Sequence, residues 1–358
     1  MVMLLKLKTT LFILQMIKSL ELTHARCFSK KTIRFQQLKT YMYGDNGVGK
    51  TTILEAIHLI ATTKSHRTNQ DKEFIQHEQP FSKIVLETKQ NRFEMVLTDK
   101  GKRVWLNGIE KKKLSQFIGH LNIVMFAPED VELVKGAPLY RRQFLDISMI
   151  QTDTTYLDVL NNYKKILKQR NALLKKLSID TDLTFLNILS EQLLEQAIII
   201  INKRNAFVEA LNELIQPVAK QFDFKDVIVK YEKDQSIDGL KQHLFTKQKV
   251  DILSQATTSG PHKDDITVYL NQKKASQFAS QGQQRLLALS LKLSVLQYLK
   301  NHHSQELVLL LDDVLSELDE THQQQLLNYE FKDHALIINS TQNYSHQQID
   351  VMHITKES

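Results

Sequence analysis

The chain has 358 residues, of which 42% are hydrophobic and 24% are charged, with 10 Gly, 5 Pro, one Cys and a net charge of +7. This length is enough for roughly two domains, and the composition excludes a wholly disordered chain and a Gly- or Pro-rich low-complexity protein. The single cysteine excludes an internal disulfide and a Cys-based zinc site, and it suits a reducing compartment.

Residues 1–15 are apolar and mildly basic, as a signal peptide would be, but no small-residue cleavage site follows them. A new basic and apolar pattern begins at Met16. We therefore expect the folded chain to start there, with 1–15 as an N-terminal extension. No apolar run reaches the roughly 20 residues that a membrane-spanning helix needs, so we expect no membrane partner.

Residues 16–130 predict short strands around one helix. The runs that indicate strands lie at 17–22, 33–35, 38–43, 84–87, 93–97 and 104–107. Between them, residues 52–61 carry apolar side chains at the spacing of one helical face, which predicts an amphipathic helix.

The positive charge is concentrated in the first third of the chain. Residues 1–130 carry 21 Lys and Arg against 12 Asp and Glu, whereas 131–222 carry 12 against 10 and 223–358 carry 14 against 18. A basic surface is typical of a polyanion binder, although an ordinary solvated surface has the same composition. The densest clusters are Lys111, Lys112 and Lys113, and Lys100, Lys102 and Arg103.

From residue 131 the pattern becomes helical. Apolar residues recur at the i, i+3, i+4, i+7 spacing over 163–177 and again over 186–215, with a polar turn at 178–182. Two long helices joined by a turn make an antiparallel hairpin, which predicts a helical arm over 131–222. Further on, strands are predicted at 227–231 and 266–270, a helix at 286–299 and a fully apolar strand at 307–311.

Residues 44–51 match the phosphate-loop pattern G-x-x-x-x-G-K-[ST], between a predicted strand and a predicted helix. The glycines allow tight backbone geometry, so amide N–H groups can converge on phosphate oxygens. Lys50 would neutralise the β- and γ-phosphates of ATP, and the Thr51 hydroxyl would bind Mg²⁺. The predicted ATP-binding residues here are Gly44, Asp45, Asn46, Gly47, Val48, Gly49, Lys50, Thr51 and Thr52. A chance glycine turn is the alternative.

A phosphate loop needs an acidic partner at the end of a neighbouring strand. The apolar run 307–311 ends in Asp312 and Asp313, which is typical of a buried parallel strand followed by carboxylates. Asp312 would hold Mg²⁺ directly or through water, and Asp313 would orient or deprotonate the attacking water. Asp313 and the phosphate-neutralising Lys50 are the predicted catalytic residues. A buried strand that merely meets a polar turn is the alternative.

Several further segments occur in a fixed order: SHRT (65–68), FAPEDVELVKG (126–136), RRQFLD (141–146), QRN (169–171), SGPHKDD (259–265) and ASQGQQR (279–285). Together they resemble the RecF family of DNA replication and repair proteins, from about Met16 to the C-terminus. Residues 280–284 look like the signature loop of ABC-type ATPases, and 316–319 look like their D-loop. The family usually has Arg at Lys263 and Asn at Thr52, and no role is assigned here to the late segment Asn339-Ser340-Thr341.

The resemblance implies an α/β fold, with an ABC-type ATPase head of mixed sheets at 16–130 and 223–358 (lobe I) and an inserted α-helical arm at 131–222 (lobe II). It implies a cytoplasmic, weak ATPase that binds single- and double-stranded DNA without sequence preference. Such a protein would form a homodimer on ATP and help RecR and RecO to load the recombinase RecA at single-stranded gaps. In this architecture the signature loop, with Ser280, Gly282 and Gln283, would contact the ATP held by the second subunit.

Two other functions stay open on the sequence. One is the ATPase subunit of a transport system, and the other is a structural clamp that binds ATP without hydrolysing it. Asp313 is one methylene shorter than the Glu common in faster ABC transporters, which favours slow turnover. The arm could clasp DNA or another protein, or it could be a scaffold that packs on the head.

Overall fold

A computed structural model describes residues 16–68, 70–178, 182–302, 307–328, 334–341 and 350–355. The predicted extension 1–15 and the centre of the polar turn at 178–182 lie outside these ranges. The chain forms two compact units: unit 1 combines Met1–Asp130 with Leu299–Ser358, and unit 2 is Val131–Tyr298.

The strands, in chain order, are β1 Ile17–Ala25, β2 Phe28–Arg34, β3 Lys39–Tyr43, β4 Phe81–Thr88, β5 Arg92–Thr98, β6 Gly101–Leu106, β7 Ile109–Lys111, β8 Asn122–Phe126, β9 Val227–Glu232, β10 Asp265–Leu270, β11 Lys273–Lys274, β12 Leu307–Asp312, β13 Ala335–Ser340 and β14 Asp350–His353. The helices are α1 Lys50–Thr62, α2 Glu132–Lys135, α3 Pro138–Thr152, α4 Thr154–Leu174, α5 Thr184–Lys220, α6 Ile237–Phe245, α7 Gln248–Ser254, α8 Ala275–Phe278, α9 Gln281–His302 and α10 Glu320–Asn328.

Unit 1 contains two sheets and a helix that contacts both. The antiparallel sheet has the order β2-β1-β4-β5-β6-β7, and the other sheet has the order β14-β3-β13-β12-β8. Every pair in the second sheet is parallel. Helix α1 contacts β1, β4 and β5 of the first sheet and β8, β12 and β13 of the second. The sequence predicted one apolar face for this helix, but 12 of its 13 residues are buried, because it is covered on two sides.

The parallel sheet follows from its sequence. Strand β12 is buried at all six positions, as expected for a parallel strand covered on both faces. It pairs with β8 on one side and with β13 on the other, at Leu309↔Val124 and Leu309↔Leu336. The predicted fully apolar strand at 307–311 is thus confirmed as an interior strand of this sheet, next to the edge strand β8. Parallel strands end at the same edge, so the loops after β3, β12 and β13 meet there.

Unit 2 contains the two predicted long helices, α4 and α5, which pack against each other. Helix α4 begins earlier than predicted because the Asp153 side chain caps it by accepting hydrogen bonds from the backbone N–H groups of Thr155 and Tyr156. The sheet β11-β10-β9 is antiparallel, and β9 packs on α5.

The second compact unit continues to Tyr298, whereas the predicted arm ends at 222. The difference arises because β9 and β10 close on the arm helices α5 and α3, so the strands that follow the arm in sequence belong to the same packed unit. Sequence periodicity predicts the change from helix to strand, but it does not predict which helices those strands pack against. The functional division into head and arm stays a prediction.

Buried ion pairs anchor the segments of unit 2 that resemble the RecF family. Arg170 on α4 is fully buried, and its guanidinium donates to Asp251 at 2.7 Å, Thr257 at 2.8 Å and Ser190 at 3.0 Å. A second buried arginine, Arg204 on α5, donates to other oxygens of the unit. A buried ion pair that lost one partner would leave an uncompensated charge, so these contacts specify how the helices pack.

Two motif segments meet around Arg204. Its Nη2 donates to Asp146 at 2.9 Å, and its Nη1 donates to the backbone oxygen of Pro261 at 2.7 Å. Nearby, Arg141 makes two 2.7 Å hydrogen bonds to the carboxylate of Asp265. The segments RRQFLD and SGPHKDD are therefore joined by side-chain contacts, which gives them a structural role in unit 2.

By length and composition, α5 is the one helix among the described residues that could cross a membrane, with a mean hydropathy of 1.3 in its most apolar window. Core helices of soluble proteins pass the same test. Its buried side chains, including Arg204, pack within unit 2. We therefore interpret α5 as a core helix.

Candidate nucleotide site

The candidate site lies at the edge of the parallel sheet where β3, β12 and β13 end. The loop 44–49 follows β3 and leads into α1, so the strand–loop–helix context predicted for the phosphate loop is confirmed. Asp312 is the last residue of β12, and Asn339 lies near the end of β13. Because β13 lies between β3 and β12, it brings a polar side chain between the phosphate loop and the two carboxylates.

Two glycines of the loop are required by close approaches. A Cβ on Gly44 would lie 2.3 Å from the backbone oxygen of Ile354, and a Cβ on Gly49 would lie 2.2 Å from the ring of Phe28 and 2.8 Å from the sulfur of Cys27. Both glycines also have positive φ, of 154° and 100°. The loop is therefore packed between the turn that joins β1 to β2 and the residue that follows β14.

The start of α1 is suited to an anion. Gly49 occupies the N-cap position and has no side chain to cap the first N–H groups of the helix, and the first turn has no acidic residue. Free N–H groups and the positive end of the helix dipole favour a bound phosphate. Lys50 curls back over the loop, where its Nζ donates to the backbone oxygens of Gly44 at 2.6 Å and Asp45 at 2.9 Å.

Lys50 is 8% exposed, and burial lowers its pKa, although Asp313, Asp45 and Asp312 act in the opposite direction. Its ammonium group is therefore held by two carbonyl oxygens and by the field of nearby carboxylates. The two carbonyl oxygens are neutral acceptors, whereas a bound phosphate would give the Lys50 ammonium group an anionic partner.

The predicted Mg²⁺ residues are in direct contact. The Thr51 hydroxyl donates to Asp312 Oδ1 at 3.0 Å, and Asn339 Nδ2 donates to the same oxygen at 2.5 Å. Burial raises the pKa of Asp312, although the bonds from Asn339 and Thr51 act in the opposite direction. A buried carboxylate with too little solvation fits a bound cation, and hydroxyl and carboxylate oxygens are ligands that Mg²⁺ prefers.

Within the described residues, no group of three or more His, Cys, Asp and Glu side chains could hold a metal ion. Mg²⁺ in nucleotide sites usually takes one or two protein oxygens and completes its shell with water and substrate phosphates. Thr51 and Asp312 fit that pattern.

Asp313 differs from its neighbour. Its backbone is left-handed, with a φ of 53°, and its N–H donates to Asn339 Oδ1 at 2.8 Å. Its side-chain Oδ1 is buried and has no hydrogen-bond partner in the described part of the chain. A buried acceptor without a partner is rare and calls for a ligand or a water molecule. Asn339 thus orients both aspartates, a role that the sequence alone did not assign.

A pocket surrounds these groups. It is lined by Arg26, Cys27, Asn46, Gly47, Gly49, Lys50, Thr51, Thr52, Arg67, Asp313, Asn339 and Thr341. Six of the predicted ATP-binding residues line it directly, whereas Gly44, Asp45 and Val48 belong to the loop but not to the lining. Asn339 and Thr341 were not predicted, because their contribution depends on the strand order. Arg26 and Cys27 reach the pocket from the turn between β1 and β2.

Glu55 on α1 connects two arginines to this pocket. The Arg26 guanidinium makes two hydrogen bonds to its carboxylate, at 2.7 and 2.8 Å, and Ser65 Oγ donates to it at 2.5 Å. The Arg67 guanidinium lies 3.9 Å away, and the Glu55 side chain is completely buried. The hydrogen bond to Glu55 raises the pKa of Arg26. Glu55 therefore fixes the position of two cations at the mouth of the pocket.

The predicted signature residues belong to unit 2, at the start of α9. Ser280, Gly282 and Gln283 are all exposed. The Ser280 backbone N–H donates to Gln283 Oε1 at 2.9 Å, and the Gln283 N–H donates to Ser280 Oγ at 3.2 Å. This reciprocal pair is a capping box. It gives Ser280 and Gln283 a local role in starting the helix, independent of any role toward a nucleotide.

In the predicted basic cluster of Lys100, Lys102 and Arg103, two of the three side chains have acidic partners in the structure. Lys102 Nζ donates to the backbone oxygen of Thr63 and pairs with Asp71 at 2.8 Å, and Arg103 makes two hydrogen bonds to Glu110. The positive charge of that cluster is therefore largely compensated by neighbouring groups.

Comparison with known proteins shows similarity over most of the chain. The family profile described as RecF/RecN/SMC N terminal domain matches residues 16–357. The "DNA replication and repair protein RecF" of Acholeplasma laidlawii (strain PG-8A) is 44% identical over 323 residues, which is 90% of this chain and 93% of the relative. That of Lactobacillus johnsonii is 39% identical over 328 residues, which is 86% of this chain and 88% of the relative.

A solved structure titled "Structure of the recombination mediator protein RecF-ATP in RecFOR pathway" aligns with a TM-score of 0.87 at 28% identity, and it covers 94% of both chains. A second, titled with RecF-ATPrS, aligns with a TM-score of 0.84 and covers 96% of this chain. These matches confirm the predicted α/β fold with an ABC-type ATPase head and a helical arm region. Since the similarity runs through both compact units and includes the phosphate loop, the chain belongs to the RecF family.

Proposed function

We propose that this chain binds ATP at the edge of its parallel sheet and hydrolyses it slowly, as a switch for DNA binding in recombinational repair and replication restart. The observation that carries this proposal is the contact of Thr51 with Asp312, beside Asp313 and Asn339, in the pocket of the phosphate loop. Solved relatives that align over most of the chain are titled as complexes with ATP and ATPrS, which supports ATP as the ligand.

On ATP binding, the Lys50 ammonium would exchange its two backbone carbonyl oxygens for the β- and γ-phosphate oxygens. The N–H groups at the start of α1 would donate to the same phosphates. Thr51 and Asp312 would hold Mg²⁺, which neutralises phosphate charge when bound. Arg26 and Arg67, positioned by Glu55, would add positive charge at the mouth of the pocket.

Hydrolysis would depend on Asp313. Its buried and unpartnered Oδ1 is available to accept a hydrogen bond from a water molecule in the pocket. Asn339 holds the backbone N–H of Asp313, so the carboxylate has a defined position. The short Asp side chain favours a low rate, as a switch requires.

Pairing of two chains would complete the site. Gly282 lies in the first turn of α9, and a Cβ there would meet nothing within 4 Å. Glycine costs about 1 kcal/mol relative to alanine inside a helix, so its presence without a reason in its own chain favours close approach by another molecule. Ser280 is exposed beside it, and Phe278 is 66% exposed. We propose that this surface meets the γ-phosphate held by the second subunit.

The partners follow from the family. The relatives are named as DNA replication and repair proteins, and one structure is titled within the RecFOR pathway. On that basis we propose that this chain acts in the cytoplasm, binds single- and double-stranded DNA without sequence preference, and cooperates with RecR and RecO in loading RecA. Residues 16–130 and 223–358 would form the ATPase head and 131–222 the arm.

Multi-angle light scattering with and without ATP and duplex DNA, together with phosphate release, tests the proposal. We expect ATP-dependent pairing and slow, DNA-responsive hydrolysis. Lys50→Ala should lower ATP affinity roughly 10- to 100-fold, because it removes a charged hydrogen-bonding partner of the phosphates. Lys72→Ala, at an exposed lysine of the same unit, is the control. Unchanged ATP binding by Lys50→Ala in calorimetry would refute the nucleotide site, and pairing without phosphate release would identify a non-hydrolysing clamp.

Because Cys27 lines the pocket and is the only cysteine, its alkylation gives a second reading of ATP binding. ATP should slow the reaction of Cys27 with a maleimide in the wild type and leave it unchanged in Lys50→Ala.

A further inference from the structure

Helix α4 exposes a face of lysines. Lys164, Lys165 and Lys168 lie on the helix, and Lys175 and Lys176 follow directly at its C-terminal end; all five side chains are exposed. Lys175 keeps right-handed helical dihedrals, so it continues the helical arrangement. At 100° per residue these five positions fall within an arc of about 120°, and they extend over roughly 18 Å.

A surface groove confirms that these side chains surround one space. Lys164, Lys168, Lys175 and Lys176 line it, together with Leu167 and Asn171. From residue 159 to 178 the chain has six basic residues and no Asp or Glu, and the sixth, Arg170, is buried on the opposite side with Asp251. No acidic residue therefore interrupts this face between Lys164 and Lys176.

Four of the five lysine charges on this face are not compensated by an ion pair within the described residues. Within the described residues, Lys165, Lys168, Lys175 and Lys176 lie in no ion pair. In unit 1, by contrast, Lys102 is paired with Asp71. Lysines near a helix C-terminus also interact favourably with its dipole, which accounts for Lys175 and Lys176 but not for the lysines in the middle of the helix.

We propose that the lysine face of α4, from Lys164 to Lys176, binds the phosphate backbone of DNA. Phosphates of one strand of duplex DNA follow each other at about 3.4 Å along the axis, so a face of this length spans roughly five of them. Lysine contacts to phosphates carry no sequence information, which agrees with the sequence-independent binding that the proposed function requires and on which this inference rests.

An anionic membrane is the other surface that lysines bind. Helices that lie on membranes insert an apolar face opposite their basic one. On α4 that opposite face is unavailable, since Tyr163, Arg170 and Leu174 are buried inside unit 2. The buried opposite face therefore favours nucleic acid over a membrane as the partner of these lysines.

The test compares two triple variants of the full-length chain. Lys168, Lys175 and Lys176 are changed to Gln in the first, and the exposed residues Lys220, Lys225 and Lys241 in the second, which loses the same charge from the same unit. Duplex binding is measured by fluorescence anisotropy with saturating ATP at several salt concentrations. For the first variant we expect at least a roughly 10-fold loss of affinity and a salt slope reduced by about 2 to 3, because each phosphate contact contributes about 0.9.

The control variant should retain wild-type affinity and slope, and both variants should bind ATP and unfold at the wild-type temperature. If the wild type binds DNA and the two variants weaken it equally, the lysine face is not the contact, and the proposed DNA-binding function stands without it. If the wild type itself binds no DNA, the proposed function fails as well. Selective loss of binding to phosphatidylserine vesicles, with DNA affinity equal to that of the control, would overturn the proposal in favour of a membrane.

Discussion

The nucleotide site of unit 1 and the signature segment of unit 2 are built in opposite ways. In unit 1, Lys50 and Asp312 are buried and their polar atoms have partners in the same unit. In unit 2, Ser280 and Gly282 are exposed, and in the described part of the chain the hydrogen bonds of Ser280 go to the first turn of its own helix. A site whose phosphate-binding groups lie in one fold should respond to substitution with loss of ATP binding or hydrolysis. The exposed segment makes its hydrogen bonds within its own helix, so a substitution there should affect ATP chemistry only when a second chain is present.

Asp313→Asn should have the largest effect on the unit 1 side of this comparison. The amide keeps the shape of the side chain but cannot accept a proton, so phosphate release should fall roughly 100- to 10,000-fold while ATP binding persists. ATP should then hold the paired state. Asp99→Asn, at an exposed turn of the same unit, is the control. Normal hydrolysis by Asp313→Asn would show that another group activates the water.

Glu55→Ala should cost about 1.5 to 3 kcal/mol in the free energy of unfolding, because it removes the charged hydrogen-bond acceptor of the partly exposed Arg26. Glu55→Gln, which keeps an acceptor for Ser65, should cost less. Urea unfolding measures both, with Glu78→Ala at an exposed position as the control. If Glu55→Ala is as stable as the control, the two arginines do not depend on this carboxylate for their position.

Ser280→Arg should leave the ATP affinity of the single chain nearly unchanged and prevent ATP-driven pairing, because the bulky cation fills the space that the partner's phosphate must enter. Removal of the cap alone costs about 1 kcal/mol, and Ser280→Ala measures that contribution without added bulk. Light scattering with ATP distinguishes the two variants.

Mixing Ser280→Arg with Lys50→Ala should restore part of the ATPase activity, since one composite site then has an intact phosphate loop and an intact signature segment. Wild-type pairing of Ser280→Arg, or no rescue in the mixture, would contradict a site shared between subunits.

Gly282→Ala should have the smallest effect and the most informative sign. Nothing lies within 4 Å of the added Cβ, so α9 should gain up to about 1 kcal/mol in stability. Pairing on ATP should nevertheless weaken, because the methyl group occupies the approach surface. Thermal unfolding and light scattering report the two quantities separately, and Gln281→Ala in the same helical turn is the control. Pairing as strong as in the wild type would mean that Gly282 is not at the interface.

Features that depend on neighbouring residues along the chain were predictable from the sequence alone. The phosphate loop was predictable because its backbone geometry depends on residues within eight positions. The strand before Asp312 was predictable because a fully buried parallel strand is apolar throughout. The two arm helices were predictable from the spacing of their apolar residues, because that spacing indicates a buried helical face.

Contacts between residues far apart in the chain became known only from the tertiary structure. Asn339 reaches Asp312 because β13 lies between β3 and β12, and Glu55 meets Arg26 because the turn between β1 and β2 packs on Gly49. Whether a lysine is paired is likewise a tertiary property: within the described residues Lys102 forms an ion pair with Asp71, whereas Lys168 forms none. Spacing along the chain encodes backbone geometry and periodicity, whereas side-chain convergence depends on strand order and packing, which contacts between distant segments determine.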